Sequence, residues 1–525
     1  MPMDIFSVPF LIFLASSFAL FYLVYLLNRA LKKTIIPQWL VLLAASLLFY
    51  GFMNYFYLIY LGISFAVSYC AAILCQYKLF KRTDNPDVAE YEFNPSSVDS
   101  HAKRKKYENI VLTISILINV GILATLKYFD FAVGTVNSLF GSSFALKHFI
   151  LPIGISFYTF SLIAYNVDCL KRSTKAEKNP FKFLLFVSYF PKIMNGPISS
   201  YDRLKEDGLF SEHNFLDSDY LKSFFRISIG LIKKLVIANT LNVYVNASFT
   251  NLNSAYGFGL ILTSILYTIQ LYCDFSGFID ISLGVSGLFG IKLEENFDVP
   301  YISQSIGEFW RRWHITLGAW LKKYIYIPLG GNRVPLWRWI INTLIVWLVS
   351  GIWHGANWTF IVWGLFHGVL LVAEGLPKQI RKRKGDNSPP KEKGIGLKIL
   401  CIVRTFALVN FGWIFFRSEN LSQSGTFIWH MIQIWKSGYN AFADTSINNA
   451  NWFFIIATVF IALLIGLKIL LKYKDNISNK FSRPELIGLI SKYSVTVVFV
   501  SISIFAFFYL KSVGGGESSF IYSNF

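Results

Sequence analysis

Apolar residues run through this chain in long blocks separated by short polar or basic stretches, and the block length predicts membrane-crossing helices. About 20 consecutive apolar residues span a bilayer core. Candidate spans occupy 5–27, 38–52, 54–76, 109–127, 149–167, 222–247, 256–274, 335–353, 357–376, 397–416, 451–471 and 489–510. With the first residue outside, the inside loops are 28–37, 77–108, 168–221, 275–334, 377–396 and 472–488, which hold nearly all the loop Lys and Arg. The outside loops carry few, chiefly Lys147, Arg417, Lys436 and Lys511. Alternation of this kind is what a positive-inside bias produces. The run 38–52 is short and spans only with little tilt or a thinned bilayer.

Two inside stretches depart from ordinary loops. Residues 181–198 are apolar but broken by Pro191 and Pro197, and 300–330 are aromatic, basic and Pro/Gly-terminated. Both read as re-entrant or half-buried helices, tolerated at membrane depth where protein or water satisfies the backbone, so they are expected to line a cavity. The predicted fold class is all-α: a polytopic bundle of about 11–12 transmembrane helices plus re-entrant helices. It reads as one membrane-embedded domain over 1–525, with N-terminal spans in 1–148, a motif-bearing core in 149–376 and C-terminal spans in 397–525. Stretches 77–108 and 377–396 read as solvated connections, and no internal repeat is visible. Ile5–Leu27 has no basic n-region or small-residue cleavage site, so it reads as a retained span.

Composition agrees with this picture. Of 525 residues, 54% are hydrophobic and 15% charged, against about 25% charged in soluble proteins. The net charge of +19 raises nucleic acid as a partner, but the basic clusters (Lys103–Lys106, Arg381–Lys384) lie in loops without interleaved aromatic residues for base stacking. That placement excludes nucleic acid and fits topology, with membrane lipid as the surrounding partner. Cys70, Cys75, Cys169, Cys273 and Cys401 form no C-x-x-C pair and no zinc spacing. They read as reduced, with no metal site.

The chemistry concentrates in two histidines. His314 ends Phe309-Trp-Arg-Arg-Trp-His314, and His354 lies in Trp353-His-Gly-Ala-Asn-Trp358. An ionisable side chain among apolar spans costs about 2.5–3.5 kcal/mol on insertion scales and usually faces a bundle interior with a job to do. Taken alone, residues 305–333 also fit an interfacial amphipathic helix with a Trp/Arg belt. His354 fits either a hydrogen bond to a helix-terminal carbonyl or a general base. Gly355 would let a substrate approach the backbone. Asp274 and Asp280 read as structural partners of Arg311 or Arg312 in preference to catalytic groups, and His367 as a packed or hydrogen-bonded side chain. No Walker A lysine motif, dinucleotide fingerprint, H-E-x-x-H or G-x-S-x-G is present.

Six segments in order resemble the membrane-bound O-acyltransferase family, in its bacterial alginate O-acetyltransferase branch. They are Leu151–Phe160, Tyr272–Gly277, Glu295–Phe297, Phe309–His314, Tyr326–Arg333 and Trp353–Trp358. The resemblance implies a multi-span fold pierced by a central tunnel, with an acyl donor from the cytoplasm and an acceptor from the outer side. It maps the family's catalytic histidine onto His354 and its second histidine onto His314. Trp353, Asn357, Arg311, Arg312, Asp274 and Asn296 are then the expected substrate-binding residues. The tail Ser518–Phe525 only partly follows the aromatic ending of such proteins, which bears on any partner contact made there.

The expected reaction moves an acyl group, in first place acetyl, from a cytoplasmic thioester to a hydroxyl of an exported polysaccharide or a relay protein. Acetyl-CoA or an acyl carrier protein is the expected donor, no bound cofactor is expected, and an extracytoplasmic acetyl-transfer protein is the expected partner. His354 would deprotonate the acceptor, and His314 would orient or assist through the thioester. Arg311, Arg312, Lys322 and Lys323 would either receive the anionic donor or simply set topology. The expected location is a bacterial plasma membrane. The alternatives are D-alanyl transfer to teichoic acid from a carrier protein and a non-enzymatic glycan transporter or flippase. The missing repeat argues against a transporter.

Overall fold

The computed structural model describes residues 5–78, 98–193, 196–215, 219–386 and 394–439. The expected spans 451–471 and 489–510 and the tail Ser518–Phe525 lie outside the described residues. What is described is helical, and its β contact is an isolated antiparallel bridge between Phe297 and Trp313. Among the described residues seven helices are long and apolar enough to cross a membrane. The chain falls into two compact units, one comprising residues up to Asp219 with Ser286–Glu294, the other Tyr220–Val285 with residues from Glu295.

The first unit holds α1 (Val8–Ala30), α2 (Gln38–Met53), α3 (Phe56–Ile73), α4 (Val98–Phe140), α5 (Ile155–Leu170), α6 (Pro180–Ser188), α7 (Phe190–Ile193) and α8 (Tyr201–Glu206). Ser7 caps α1 by accepting from the Phe10 N–H at 3.3 Å, and Asn179 caps α6 ahead of Pro180. Two boundaries differ from expectation. Helix α4 begins at Val98, inside the stretch read as a solvated connection, because the strong helix formers of Ala102–Lys106 extend the apolar run that follows. Helix α5 begins only at Ile155, because Gly154 before it is left-handed at φ 72° and Pro152 disfavours helical backbone at Leu151. The segment around Pro191 is broken into α6 and α7 and is buried from Leu185 to Ile193, with Phe186, Tyr189 and Phe190 fully enclosed.

The second unit holds α9 (Tyr220–Leu231), a π-helical segment Ile232–Ala238, α10 (Asn239–Thr250), α11 (Gly257–Leu288), α12 (Ile306–Arg312) and α13 (Ile315–Leu321). It continues through α14 (Leu336–His354), α15 (Trp358–Arg383), α16 (Ile395–Arg417) and α17 (Leu421–Met431). The run 222–247 is therefore not one regular helix. The consecutive Lys233 and Lys234 lie in this π turn, and both pair with acids of α11. Helix α11 continues to Leu288, well past the apolar run ending at 274, with both of its acids paired. Helices α14 and α15 form a close hairpin. A side chain at Gly351 would lie 2.4 Å from the Phe360 carbonyl oxygen, and one at Gly364 2.4 Å from that of Trp347.

Candidate active site

His314 is built by a short, tightly capped piece of chain. Ser305 accepts from the Glu308 N–H at 3.0 Å, while the Glu308 carboxylate reaches back to the Gln304 N–H at 2.9 Å. That reciprocal capping starts α12. Helix α12 ends at Arg312, Trp313 turns extended to bridge Phe297, and His314 follows at φ 48°, ψ 54°. A left-handed backbone is uncommon for any residue but glycine and costs about 1–3 kcal/mol. The surrounding contacts hold it: the Ile315 N–H donates to the Asn296 carbonyl at 3.1 Å, and the Asp298 N–H to the Arg312 carbonyl at 2.9 Å.

Asn296 also determines the state of the imidazole. Its Oδ1 accepts from the Thr316 N–H and the Thr316 hydroxyl, each at 3.0 Å, so that atom is the amide oxygen. The same oxygen lies 3.4 Å from His314 Nδ1 and can only accept, which places the imidazole proton on Nδ1 and a lone pair on Nε2. Among the described residues Nε2 has no hydrogen-bond partner, although His314 is only 2% exposed. Burial pushes this imidazole down to about 3, so it is neutral at physiological pH. A bare Nε2 accepts a hydrogen bond or a proton and offers none to a thioester carbonyl.

His354 is the last residue of α14 and is 4% exposed. The chain turns extended at Gly355, so the helix ends within the packed unit. Trp353 links the two histidines: its ring centroid lies 5.8 Å from that of His314 and 4.9 Å from that of His354. Phe275 stands edge-on to His314 at 4.9 Å, while Trp363 and Phe416 flank His354 at 4.9 and 5.2 Å. The space at Gly355 is taken by Phe360, whose ring would lie 2.2 Å from a Cβ there, so a side chain and not a substrate occupies that approach. Asn357 Oδ1 accepts from the Thr359 N–H at 3.0 Å, and its Nδ2 donates to the Glu419 carbonyl at 2.6 Å. In this state Asn357 opens α15 and ties it to the start of α17.

The acidic residues take partners other than those expected. Asp274 pairs with Lys234 at 2.5 Å, both almost fully buried, and Asp280 with Lys233 and Arg226 at 2.6 Å each. Arg226 also grips Glu295 through two hydrogen bonds of 2.6 Å. Arg312 instead pairs with Glu308, four residues earlier on its own helix, at 2.9 Å. Arg311, Lys322 and Lys323 are exposed. The expected pairing of Asp274 and Asp280 with Arg311 or Arg312 is thus corrected: the π segment supplies the nearer cations. Lys233 and Lys234 were findable as two charges inside an apolar run. The aromatic groups that wall the histidines (Phe275, Trp363, Phe416) carry no comparable signal.

Comparison with known proteins identifies the family. The family model for the membrane-bound O-acyltransferase family matches residues 105–396. A Pseudomonas aeruginosa protein named "Probable alginate O-acetylase AlgI" is 37% identical over 344 residues, 65% of this chain and 62% of that one. A Helicobacter pylori peptidoglycan O-acetyltransferase is 34% identical over 426 residues, covering 76% of this chain and 74% of its own length. A Bacillus subtilis teichoic acid D-alanyltransferase is 30% identical over 281 residues, 51% of this chain and 69% of the relative. The family model takes in α12 through α15 with both histidines and covers more than half of the 525 residues, so this chain belongs to the membrane-bound O-acyltransferase family.

Proposed function

We propose that this protein transfers an acetyl group from a cytoplasmic thioester, acetyl-CoA or an acyl carrier protein, to a hydroxyl of an exported polysaccharide or of a relay protein that passes it on to one. The observation that carries the reading is the pair of buried histidines on the Trp353 ring, one of them held neutral with a bare Nε2. His354 takes the proton of the acceptor hydroxyl, and the oxygen attacks the thioester carbonyl. The tetrahedral intermediate collapses with cleavage of the C–S bond, and the departing thiolate takes the proton back from His354. The products are an ester and a free thiol. General-base help of this kind contributes roughly 10²–10⁴-fold. Holding donor and acceptor together supplies much of the remainder.

His314 then works by accepting. The amide N–H groups of a pantetheine arm are donors of the right kind for its Nε2, so it orients the donor next to Trp353. The exposed Arg311, with Lys322 and Lys323, receives the donor's phosphates or an acidic carrier. Acetyl is favoured over D-alanyl because the acetyl-transferring relatives match more of this chain, 65% and 76% against 51%. The acceptor side is extracytoplasmic, in the plasma membrane of a bacterium, where a partner protein completes delivery to the polymer.

A second reading exchanges the histidines' roles. Asn296 leaves His314 in the tautomer a general base needs, with the lone pair on Nε2. The test is transfer of label from [14C]acetyl-CoA by membranes containing the full-length protein, with His354→Gln and His314→Gln compared at equal abundance. If His354 is the base, its variant loses transfer entirely, while the His314 variant keeps turnover with a raised KM for acetyl-CoA. The reverse pattern supports the exchanged roles. Full transfer by both variants overturns the histidine mechanism, and no label transfer by the wild type points to the transporter alternative.

A further inference from the structure

A third histidine, His367 on α15, is fully buried and takes no part in the chemistry above. Its Nδ1 lies 3.3 Å from Trp310 Nε1. An indole N–H can only donate, so Nδ1 accepts and the His367 proton resides on Nε2, the opposite tautomer to His314. Nε2 faces α16 at Gly412, where a Cβ would sit 2.7 Å away, so only glycine admits the imidazole there. Among the described residues that N–H has no acceptor. A phenyl ring would fill the same space without burying an orphan donor. Only the Nδ1 bond to Trp310 distinguishes the imidazole favourably.

We infer that His367 is a positioning residue that fixes α12, and through it His314, against the helix whose Trp363 walls His354. The inference rests on the acyl-transfer reading for its kinetic consequence, but its structural content stands apart from it. Helix α12 has seven residues, too few to hold a shape by its own hydrogen bonds. Among the described residues, two polar contacts join it to α15. Trp310 donates to His367, and the Gly307 N–H donates to Glu374 at 3.2 Å, with Glu374 held by Arg404 of α16 at 2.8 Å. His367 and Glu374 are two helical turns apart on one face of α15, and Gly307 and Trp310 one turn apart on α12. Trp310 also packs against Trp347 at 4.5 Å and Trp363 at 5.5 Å, and Trp363 against His354 at 4.9 Å. His314 follows Trp310 by four residues, so loosening this clamp shifts one histidine relative to the other.

The experiment uses full-length protein in nanodiscs with His367→Phe, His367→Asn, Trp310→Phe and the double variant His367→Phe/Trp310→Phe. Hydrogen exchange of the peptide covering 306–312 reads the position of α12 without any activity. Label transfer from [14C]acetyl-CoA reads kcat and KM. We expect His367→Phe and Trp310→Phe each to speed exchange of that peptide and to raise the KM for acetyl-CoA in the direction that His314→Gln does, because the histidine they release is the one that orients the donor. The double variant should be no worse than the poorer single one, because both remove the same bond. His367→Asn, whose amide oxygen can accept from Trp310, should recover much of both. Unchanged exchange in both single variants, multiplicative losses in the double, or no recovery with Asn would overturn the proposal. If His367→Phe fails to accumulate, Trp310→Phe and His367→Asn decide it alone. Exchange altered as expected, with no label transfer even in the wild type, would uphold the clamp and reject the acyl-transfer reading.

Discussion

Asn296 Oδ1 lies 3.4 Å from His314 Nδ1 and accepts at the same time from the Thr316 backbone N–H. The second contact orients the amide, and the amide then dictates where the imidazole carries its proton. Replacing Asn296 with Leu keeps the approximate volume and removes that instruction. Acyl transfer at sub-saturating acetyl-CoA should fall as it does for His314→Gln, through a raised KM, while membrane abundance stays near wild type. Initial rates at matched protein level check this, and a rate within twofold of wild type would show that Asn296 does not control His314.

His314 also makes stability pH-dependent. Its folded-state value, about 3, lies below the ordinary 6.5. The unfolded chain therefore takes up a proton that the folded chain refuses, and stability falls as pH drops from about 6.5 toward 3. Above about 6.5 this group contributes no such slope. Between pH 7 and pH 4.5 the thermal midpoint of the wild type in detergent should fall further than that of His314→Phe. Equal falls would mean that the imidazole is reached by water or by a partner acid.

The Lys234–Asp274 pair separates a structural from a substrate role for Asp274. Both side chains are almost fully buried, at 3% and 1% exposure. Removing one charge of such a pair costs about 3–5 kcal/mol, whereas replacing both with apolar groups is often neutral. Lys234→Met and Asp274→Leu should each reduce the amount of folded protein in size-exclusion profiles, and the double variant should restore it. If the double variant folds but transfers nothing, Asp274 belongs to the substrate site.

For the exposed cations, Arg311→Glu should raise the KM for acetyl-CoA several-fold with little change in kcat, and the effect should shrink in high salt. An unchanged KM would leave Arg311 a topology determinant. Arg312 is a poor subject for the same test because it is tied to Glu308 at 2.9 Å.

The parts of this molecule that follow from local chemistry were legible in the sequence. Apolar block lengths locate α1, α14, α15 and α16, and Trp-His pairs in apolar surroundings locate His314 and His354. The partners of Asp274 and Asp280 were not legible, because a π turn changes the phase of everything after it and leaves no periodic signature. Arg311 and Arg312 lie nearer in sequence to both aspartates than Lys233 and Lys234 do, yet the fold pairs the latter. His367 reads from sequence as a packed or hydrogen-bonded residue, and it is. That its bond goes to Trp310 depends on how α12 docks, which no spacing of residues encodes. The left-handed backbone at His314 is likewise a tertiary product, set by Asn296 and the Phe297–Trp313 bridge.

The central claim is that His354 carries acetyl transfer to a glycan. Its most direct test is ester-linked acetate released by mild base from cell-surface glycan, compared between cells making the wild type and cells making His354→Ala at equal membrane levels. The account predicts that the acetate disappears in the variant. Acetate undiminished in the His354→Ala cells would contradict it.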